Sequence, residues 1–418
     1  MVNNLLSSSV WATIGSVALA VLVLLVMITV HEFGHYIAGK ILHFRINEFS
    51  IGFGPTLFSR TNKKSGEKFS LRLIPLGGYC AFEDEDESDE TPSALTEKDA
   101  EEIFGKRAKK VPMPEENAAP MPEEKDVPVR FCDQPPWKRI IVVLSGALMN
   151  YLLALLVILL TFFIFGQLSF VTYAVEPTQE IAAEYCFQEK DILLKANGKD
   201  IYMTTDLMSA VANRAEGEKV VFRVSRVEGD GRRETDVEIQ LRCATNFENS
   251  ADTGRLWEAL GVAKVRGESG QIVTDGEGNP SYEIYTTSYR YGFWRTVGGG
   301  FVYSFRIAGS IFKALGELLT GALGVDSLGG PITTIAVTSQ VLSQGIRPFL
   351  EIVAYIGVNL AVFNLLPIPA LDGSKVVFTL IEWVRGKPVN RKVEAAIHGV
   401  GILLLFGFAV LVDILQLF

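Results

Sequence analysis

His31-Glu32-Phe33-Gly34-His35 stands at the end of the first hydrophobic segment of this 418-residue chain, and that position decides the reading of the fold. Residues 1–30 contain no Asp, Glu, Lys or Arg and are almost continuously apolar from Val10 to Val30. Crossing a bilayer takes roughly 20 residues, so the stretch is long enough to span one. On a helix, residues four apart share a face. His31 and His35 can therefore direct both imidazoles at one zinc ion, and Glu32 between them can take a proton from a zinc-bound water. HExxH alone matches often by chance. At membrane depth the balance changes, because ionisable groups are costly there and mark function by default. The bland alternative is a pair of interfacial histidines beside a cytoplasmic loop.

Composition agrees with a membrane protein of several parts. The chain is 21% charged yet has a positive mean hydropathy, as expected of apolar spans alternating with wet segments. Much of the net charge of −9 comes from one block, Glu83-Asp84-Glu85-Asp86-Glu87 with Asp89 and Glu90. Lysines and arginines are scattered, and basic-aromatic motifs are absent, which excludes a nucleic-acid-binding face. The N-terminus lacks a basic n-region, and a catalytic-looking motif stands where cleavage would fall, so it reads as a retained helix rather than a signal peptide.

Three further stretches can enter the membrane: 140–175, with a core at Leu152–Phe165; Ile352–Leu371; and Ala395–Val412. Basic residues flank the same ends of these spans. Lys40, Arg45, Arg60, Lys63, Lys64, Lys68, Lys138 and Arg139 lie between spans one and two, and Lys375, Arg385, Lys387, Arg391 and Lys392 between three and four. By the positive-inside rule both loops are cytoplasmic, the 176–350 segment is external, and HExxH lies toward the cytoplasmic end of span one.

The resulting fold class is a polytopic α-helical membrane protein of about four spans, with two β-rich additions. Residues 1–43 are span one with HExxH. Residues 44–82 are a β-rich loop, in which Phe69, Leu71 and Leu73 alternate with Ser70 and Arg72 and Asn62–Gly66 makes a turn. Residues 83–130 are an acidic, partly disordered insertion, and 131–167 contain span two. Residues 168–245 form a compact external α+β module: a strand at Asp191–Leu194, a tight turn at Asn197-Gly198, a short helix at 205–214, and alternating Val220/Phe222/Val224 and Val237/Ile239/Leu241. A connector with an amphipathic helix follows at 246–326. Residues 327–374 hold a Gly-Gly-Pro segment and span three, and 375–418 a cytoplasmic loop and span four. Cys80 and Cys132 are expected to be reduced, whereas Cys186 and Cys243, in the external module, could pair in an oxidising compartment.

A catalytic zinc needs three protein ligands and one open position. His398, inside the last apolar stretch and without a partner motif, reads as a packing residue. Asp372 is the stronger candidate. It ends Asn364-Leu365-Leu366-Pro367-Ile368-Pro369-Ala370-Leu371-Asp372-Gly373, at the same depth as HExxH. Pro367 and Pro369 break the helix, and irregular backbone at membrane depth is tolerated where it is buried or lines a wet cavity.

With these residues in place the chain resembles the site-2 protease family of intramembrane zinc metalloproteases, closest to its bacterial regulator-of-sigma-E branch. HEFGH, Gly52-Phe53-Gly54-Pro55, Gly77-Gly78-Tyr79, Trp137-Lys138-Arg139, Ser145-Gly146-Ala147-Leu148-Met149-Asn150, Gly329-Gly330-Pro331-Ile332 and NLLPIPALDG occur in the family's order across nearly the whole chain. The resemblance implies zinc held by His31, His35 and Asp372, Glu32 as general base, and substrate contacts from Asn364 and Asn150. It implies that the β-rich loop pairs with an extended substrate strand and that the external module is PDZ-like. It further implies single-span membrane protein substrates such as an anti-sigma factor or signal-peptide remnants, an upstream site-1 protease acting on the same substrate, and a bacterial inner-membrane location.

Three departures stand out. One PDZ-like module is visible where the family often has two. Gly146-Ala147-Leu148 replaces the usual GPL, and Leu371-Asp372-Gly373-Ser374 the usual LDGG. Competing readings are a catalytically silent scaffold that uses the module to bind protein tails, a zinc transporter, and an HExxH protease of soluble peptides. Intact Glu32, the near absence of polar residues in spans two and four, and the depth of the motif weigh against these in turn.

Overall fold

The computed structural model describes all residues except 1, 64, 84–127, 177–180, 248, 250–251, 268, 275–278, 325–328, 343 and 416–418. Most of the acidic insertion lies outside the described residues. Two compact units result. One comprises Met1–Leu153, Pro331–Gln340 and Leu360–Ile414, the other Ala154–Gly330, Val341–Asn359 and Leu415–Phe418.

In the first unit, α1 (Val2–Ile41) runs unbroken through the HExxH motif. Strands β1 (Ile46–Thr61) and β2 (Lys68–Phe82) follow as an antiparallel hairpin. Positive φ angles of 84° and 79° at Gly52 and Gly54 bend β1, a conformation glycine adopts without penalty. Glu48–Ile51 therefore pairs on one side with 68–71 and on the other with 78–81, which leaves the end of β2 as an outer edge. Phe44, Ile46, Phe49, Cys80, Phe82, Phe131, Val142 and Val143 bury the base of this hairpin in one apolar cluster. The alternating face seen in the sequence behaves differently: Phe69, Leu71 and Leu73, with Phe58 and Ile74, are exposed. Period-two alternation reports a two-sided strand and leaves open whether protein or lipid covers the apolar side.

Helices α2 (Pro136–Phe165), α6 (Pro331–Leu342), α7 (Ile346–Leu365), α8 (Asp372–Arg385) and α9 (Arg391–Leu415) provide most of the remaining helical framework. Among the described residues, four helices are long and apolar enough to cross a membrane: Ile14–Ile41, Pro136–Phe165, Ile346–Leu365 and Lys392–Leu415. Three sequence boundaries shift. The apolar run expected at 140–175 stops being helical at Phe165, where Gly166 at φ 86° turns the chain into a strand. Span three ends at Leu365 instead of Leu371, because prolines at 367 and 369 cannot continue it. The expected loop at 375–390 is largely the helix α8. Its basic residues drew attention to topology and hid a helical pattern, begun by Asp372 in the first turn and ended by Arg385 and the left-handed Gly386.

The second unit is built on a six-stranded sheet of order β7-β6-β4-β3-β8, with β5 paired to β4. The strands are β3 (Gln167–Thr172), β4 (Ile192–Ala196), β5 (Lys199–Asp200), β6 (Lys219–Glu228), β7 (Gly231–Gln240) and β8 (Ile284–Tyr289). Asn197 and Gly198, both at positive φ, form the tight turn between β4 and β5. The short α3 (Thr204–Val211) packs Leu207, Met208 and Val211 against Val220, Phe222, Val224 and Ile239.

The module does not stop at residue 245. Helix α4 (Thr253–Ala259) buries Leu256 and Trp257 in the same core, and β8 pairs along the whole of β3. Few apolar residues mark these late additions, so the sequence boundary falls too early. The amphipathic helix expected in the connector is α5 (Phe293–Thr320). The possible Cys186–Cys243 disulfide is not formed: both residues are thiols. Cys243 packs against the apolar core, where burial pushes its thiol pKa up.

Candidate metal and catalytic site

Three side chains from two helices converge in the first unit. His31 and His35, one helical turn apart on α1, bring their Nε2 atoms to 3.2 Å. Asp372, the first residue of α8, places Oδ2 2.9 Å from His31 Nε2 and 3.3 Å from His35 Nε2. The His35 ring is fixed from behind, where Nδ1 donates to the Val142 carbonyl on α2 at 2.8 Å. A neutral imidazole carries one ring proton, so this bond leaves a lone pair on Nε2. Among the described residues, Oδ2 of Asp372 is buried without a hydrogen-bond donor.

Three electron-rich atoms this close call for a cation. Ligands at the usual zinc distance of about 2.0–2.1 Å in a tetrahedron stand about 3.3 Å apart, and the observed triangle has edges of 2.9, 3.2 and 3.3 Å. Among the described residues it is the one group of three His, Cys, Asp or Glu side chains that could hold a metal ion. Two nitrogens and one oxygen suit zinc and leave a fourth position open.

Close helix packing makes the triangle possible. A Cβ on Gly34 would lie 2.8 Å from the Met149 side chain and still closer to the Ser145 carbonyl on α2. A Cβ on Gly146 would lie 2.6 Å from His35 Cε1 and 2.7 Å from His31 Cε1. Each glycine lets the other helix approach, the usual role of small residues between membrane helices. The sequence places both inside motifs but says nothing of this steric role.

Glu32 points to the hairpin. Its carboxylate accepts a hydrogen bond from the Cys80 backbone N–H, on the outer edge of β2, at 3.0 Å. Asn364, near the end of α7, has its side-chain amide 3.4 Å from His31 Nδ1. The atom facing that ring is the amide nitrogen, which donates to Nδ1; for His31 to offer Nε2 to a metal the amide must turn so that its oxygen accepts from Nδ1–H. Asn150 lies one turn beyond Gly146 and so on the same face of α2. It is only 1% exposed, and its Oδ1 has no hydrogen-bond partner among the described residues. His398 is not part of the triangle. It stands behind the Pro367–Ala370 loop, where its Nδ1 accepts a hydrogen bond from the Ala370 N–H.

Known proteins resemble this chain along almost its whole length. The model of peptidase family M50 matches residues 19–408. A protein of Agrobacterium fabrum named as a zinc metalloprotease is 27% identical over 98% of this chain and 97% of its own length. The zinc metalloprotease RasP of Bacillus licheniformis is 27% identical over 93% of this chain and 96% of its own. The regulator of sigma-W protease RasP of Bacillus subtilis is 26% identical over 93% and 95%.

Proposed function

The chain belongs to peptidase family M50 and is a zinc metalloendopeptidase, and on that premise we propose that His31, His35 and Asp372 hold the zinc and Glu32 is its general base. The substrate bond lies within the transmembrane segment of a single-span membrane protein. The observation that carries this reading is the His31–His35–Asp372 triangle, with both histidines on a membrane-length helix, beside the outer edge of the hairpin.

Bound zinc lowers the pKa of a coordinated water and polarises the scissile carbonyl. The protein's own groups do the rest. Glu32, oriented by the Cys80 N–H, accepts the proton of the attacking water and returns it to the leaving amine nitrogen. A substrate helix hides its carbonyls in internal hydrogen bonds. Added as a strand along residues 78–82 of β2, where the Cys80 N–H stays with Glu32, it keeps most of its backbone groups paired while one carbonyl faces the site. Asn150, buried with its Oδ1 unpartnered among the described residues, offers that oxygen to the unwound segment, and Asn364 steadies His31.

The β-rich unit, PDZ-like and external, acts as a docking site or size filter that favours substrates already trimmed by a site-1 protease. The relative named for sigma-W regulation supports anti-sigma factors as a substrate class, and the basic loops support an inner-membrane orientation with the active site near the cytoplasmic face.

The test is cleavage of a model single-span substrate in detergent by the wild type and by Glu32→Gln, with zinc measured on both. About one zinc in each protein, with turnover in the wild type only, supports the assignment. No zinc in either overturns the ligand set, and unimpaired cleavage by the Glu32 variant overturns the base.

A further inference from the structure

The candidate ligand Asp372 follows a loop, Leu366–Leu371, that has little regular structure to hold it. Leu366 N–H donates to the Phe363 carbonyl and Leu371 N–H to that of Ile368, while Pro367 and Pro369 have no N–H to donate. Ala370, two residues before the ligand, adopts φ +81°. A residue with a Cβ is strained there and stays so only where its surroundings enforce it.

Helix α9 supplies that enforcement from behind the loop. Ala370 N–H donates to His398 Nδ1 at 3.1 Å. The His398 ring also stacks obliquely on Phe378 of α8, with ring centroids 5.6 Å apart, so one side chain touches both the loop and the helix that Asp372 begins. Less than one turn further along α9, Gly401 lies directly under Pro369. A Cβ there would come within 2.7 Å of the Pro369 carbonyl carbon and oxygen. A hydrogen-bond acceptor and a bare backbone surface, three residues apart on one helix, thus fit two adjacent residues of the loop.

We propose that His398 and Gly401 are positioning residues for Asp372: the last helix holds Ala370 in its left-handed conformation, and this sets where the carboxylate meets His31 and His35. The proposal rests on Asp372 being a metal ligand. Groups that orient a metal ligand from behind typically contribute a factor of roughly 10–100 in metal affinity. His398 touches neither the metal position nor the ligand atoms, so its effect must pass through the loop.

The experiment uses the full-length protein in detergent, loaded with cobalt(II) to read the ligand field by its visible absorption bands, and with zinc to measure affinity. Wild type is compared with His398→Leu, His398→Asn, Gly401→Ala and Asp372→Asn. His398→Leu should shift the cobalt bands and weaken zinc binding by about 10–100-fold. His398→Asn should restore both, because its amide oxygen can accept the Ala370 N–H. Gly401→Ala, which keeps His398, should also shift the bands by displacing Pro369, and so covers the case in which His398→Leu fails to fold. Unchanged bands and affinity in both His398→Leu and Gly401→Ala, with Asp372→Asn altered, overturn the positioning role alone. Unchanged bands in Asp372→Asn overturn the ligand assignment beneath it.

Discussion

The backbone N–H of Cys80 donates to the carboxylate of Glu32, so the outer edge of the hairpin and the glutamate of the HExxH motif are joined by one hydrogen bond of 3.0 Å. A strand paired to that edge would run past the proposed general base at a fixed register, and on that proposal binding and proton transfer would be coupled through β2. The hairpin is itself held to α1 by the ion pair of Lys40 with Glu67 and by the apolar cluster around Phe49 and Cys80.

Gly146→Ala should spoil the metal site without unfolding the helix that carries it. Alanine is a better helix former than glycine, yet its methyl would press on both imidazoles. We expect zinc affinity to fall by roughly tenfold or more while the thermal melt of the protein in detergent stays close to the wild type. Metal titration beside a melting curve checks both halves.

Asn150→Leu separates stability from activity. A buried polar atom without a partner costs about 1–3 kcal/mol, so an apolar side chain of similar size should leave the protein equally or more stable. Cleavage of the membrane substrate should nevertheless drop about tenfold in kcat/KM, the value of one lost hydrogen bond to substrate. An Asn150→Leu protein that loses stability and keeps full activity would reverse the assignment.

Asp191 anchors the β-rich unit. It is fully buried, receives both Nε and Nη2 of Arg226 at 2.9 and 2.6 Å, and also accepts the Gln188 N–H. Removing one partner strands the other charge, so Asp191→Ala should destabilise the unit by about 3–5 kcal/mol. Replacing both with apolar residues should cost less. Amide hydrogen exchange in β4 and β6 reads this locally.

Glu48 makes the hairpin acid-sensitive. Burial would raise its pKa, but hydrogen bonds from Ser70, Tyr79 and Arg72 and the charge of Lys68 outweigh this and hold it at about 2. A depressed carboxyl stabilises the folded state above its unfolded pKa and loses that contribution as pH falls through the folded value. Protease protection of residues 46–82 should therefore weaken progressively from about pH 4.5 down to about 2, and Glu48→Gln should be weaker at neutral pH and flat across that window.

HExxH at the end of a charge-free segment, a carboxylate closing a proline-broken span, and alternating residues over 69–73 and 219–241 were legible in the chain because each depends on spacing along one element. Helical period places His31 and His35 on one face whatever surrounds them, and proline ends a helix by its own chemistry. Across elements that logic stops. The approach of α2 to the histidines at Gly146, the Cys80–Glu32 bond, the support of Ala370 by His398 and the extension of the sheet by β8 each join residues far apart in sequence. No local period encodes such pairs. The sequence by itself determined the candidate ligand types and the apolar spans; tertiary structure decided which of those side chains meet, because convergence is a property of packed backbones.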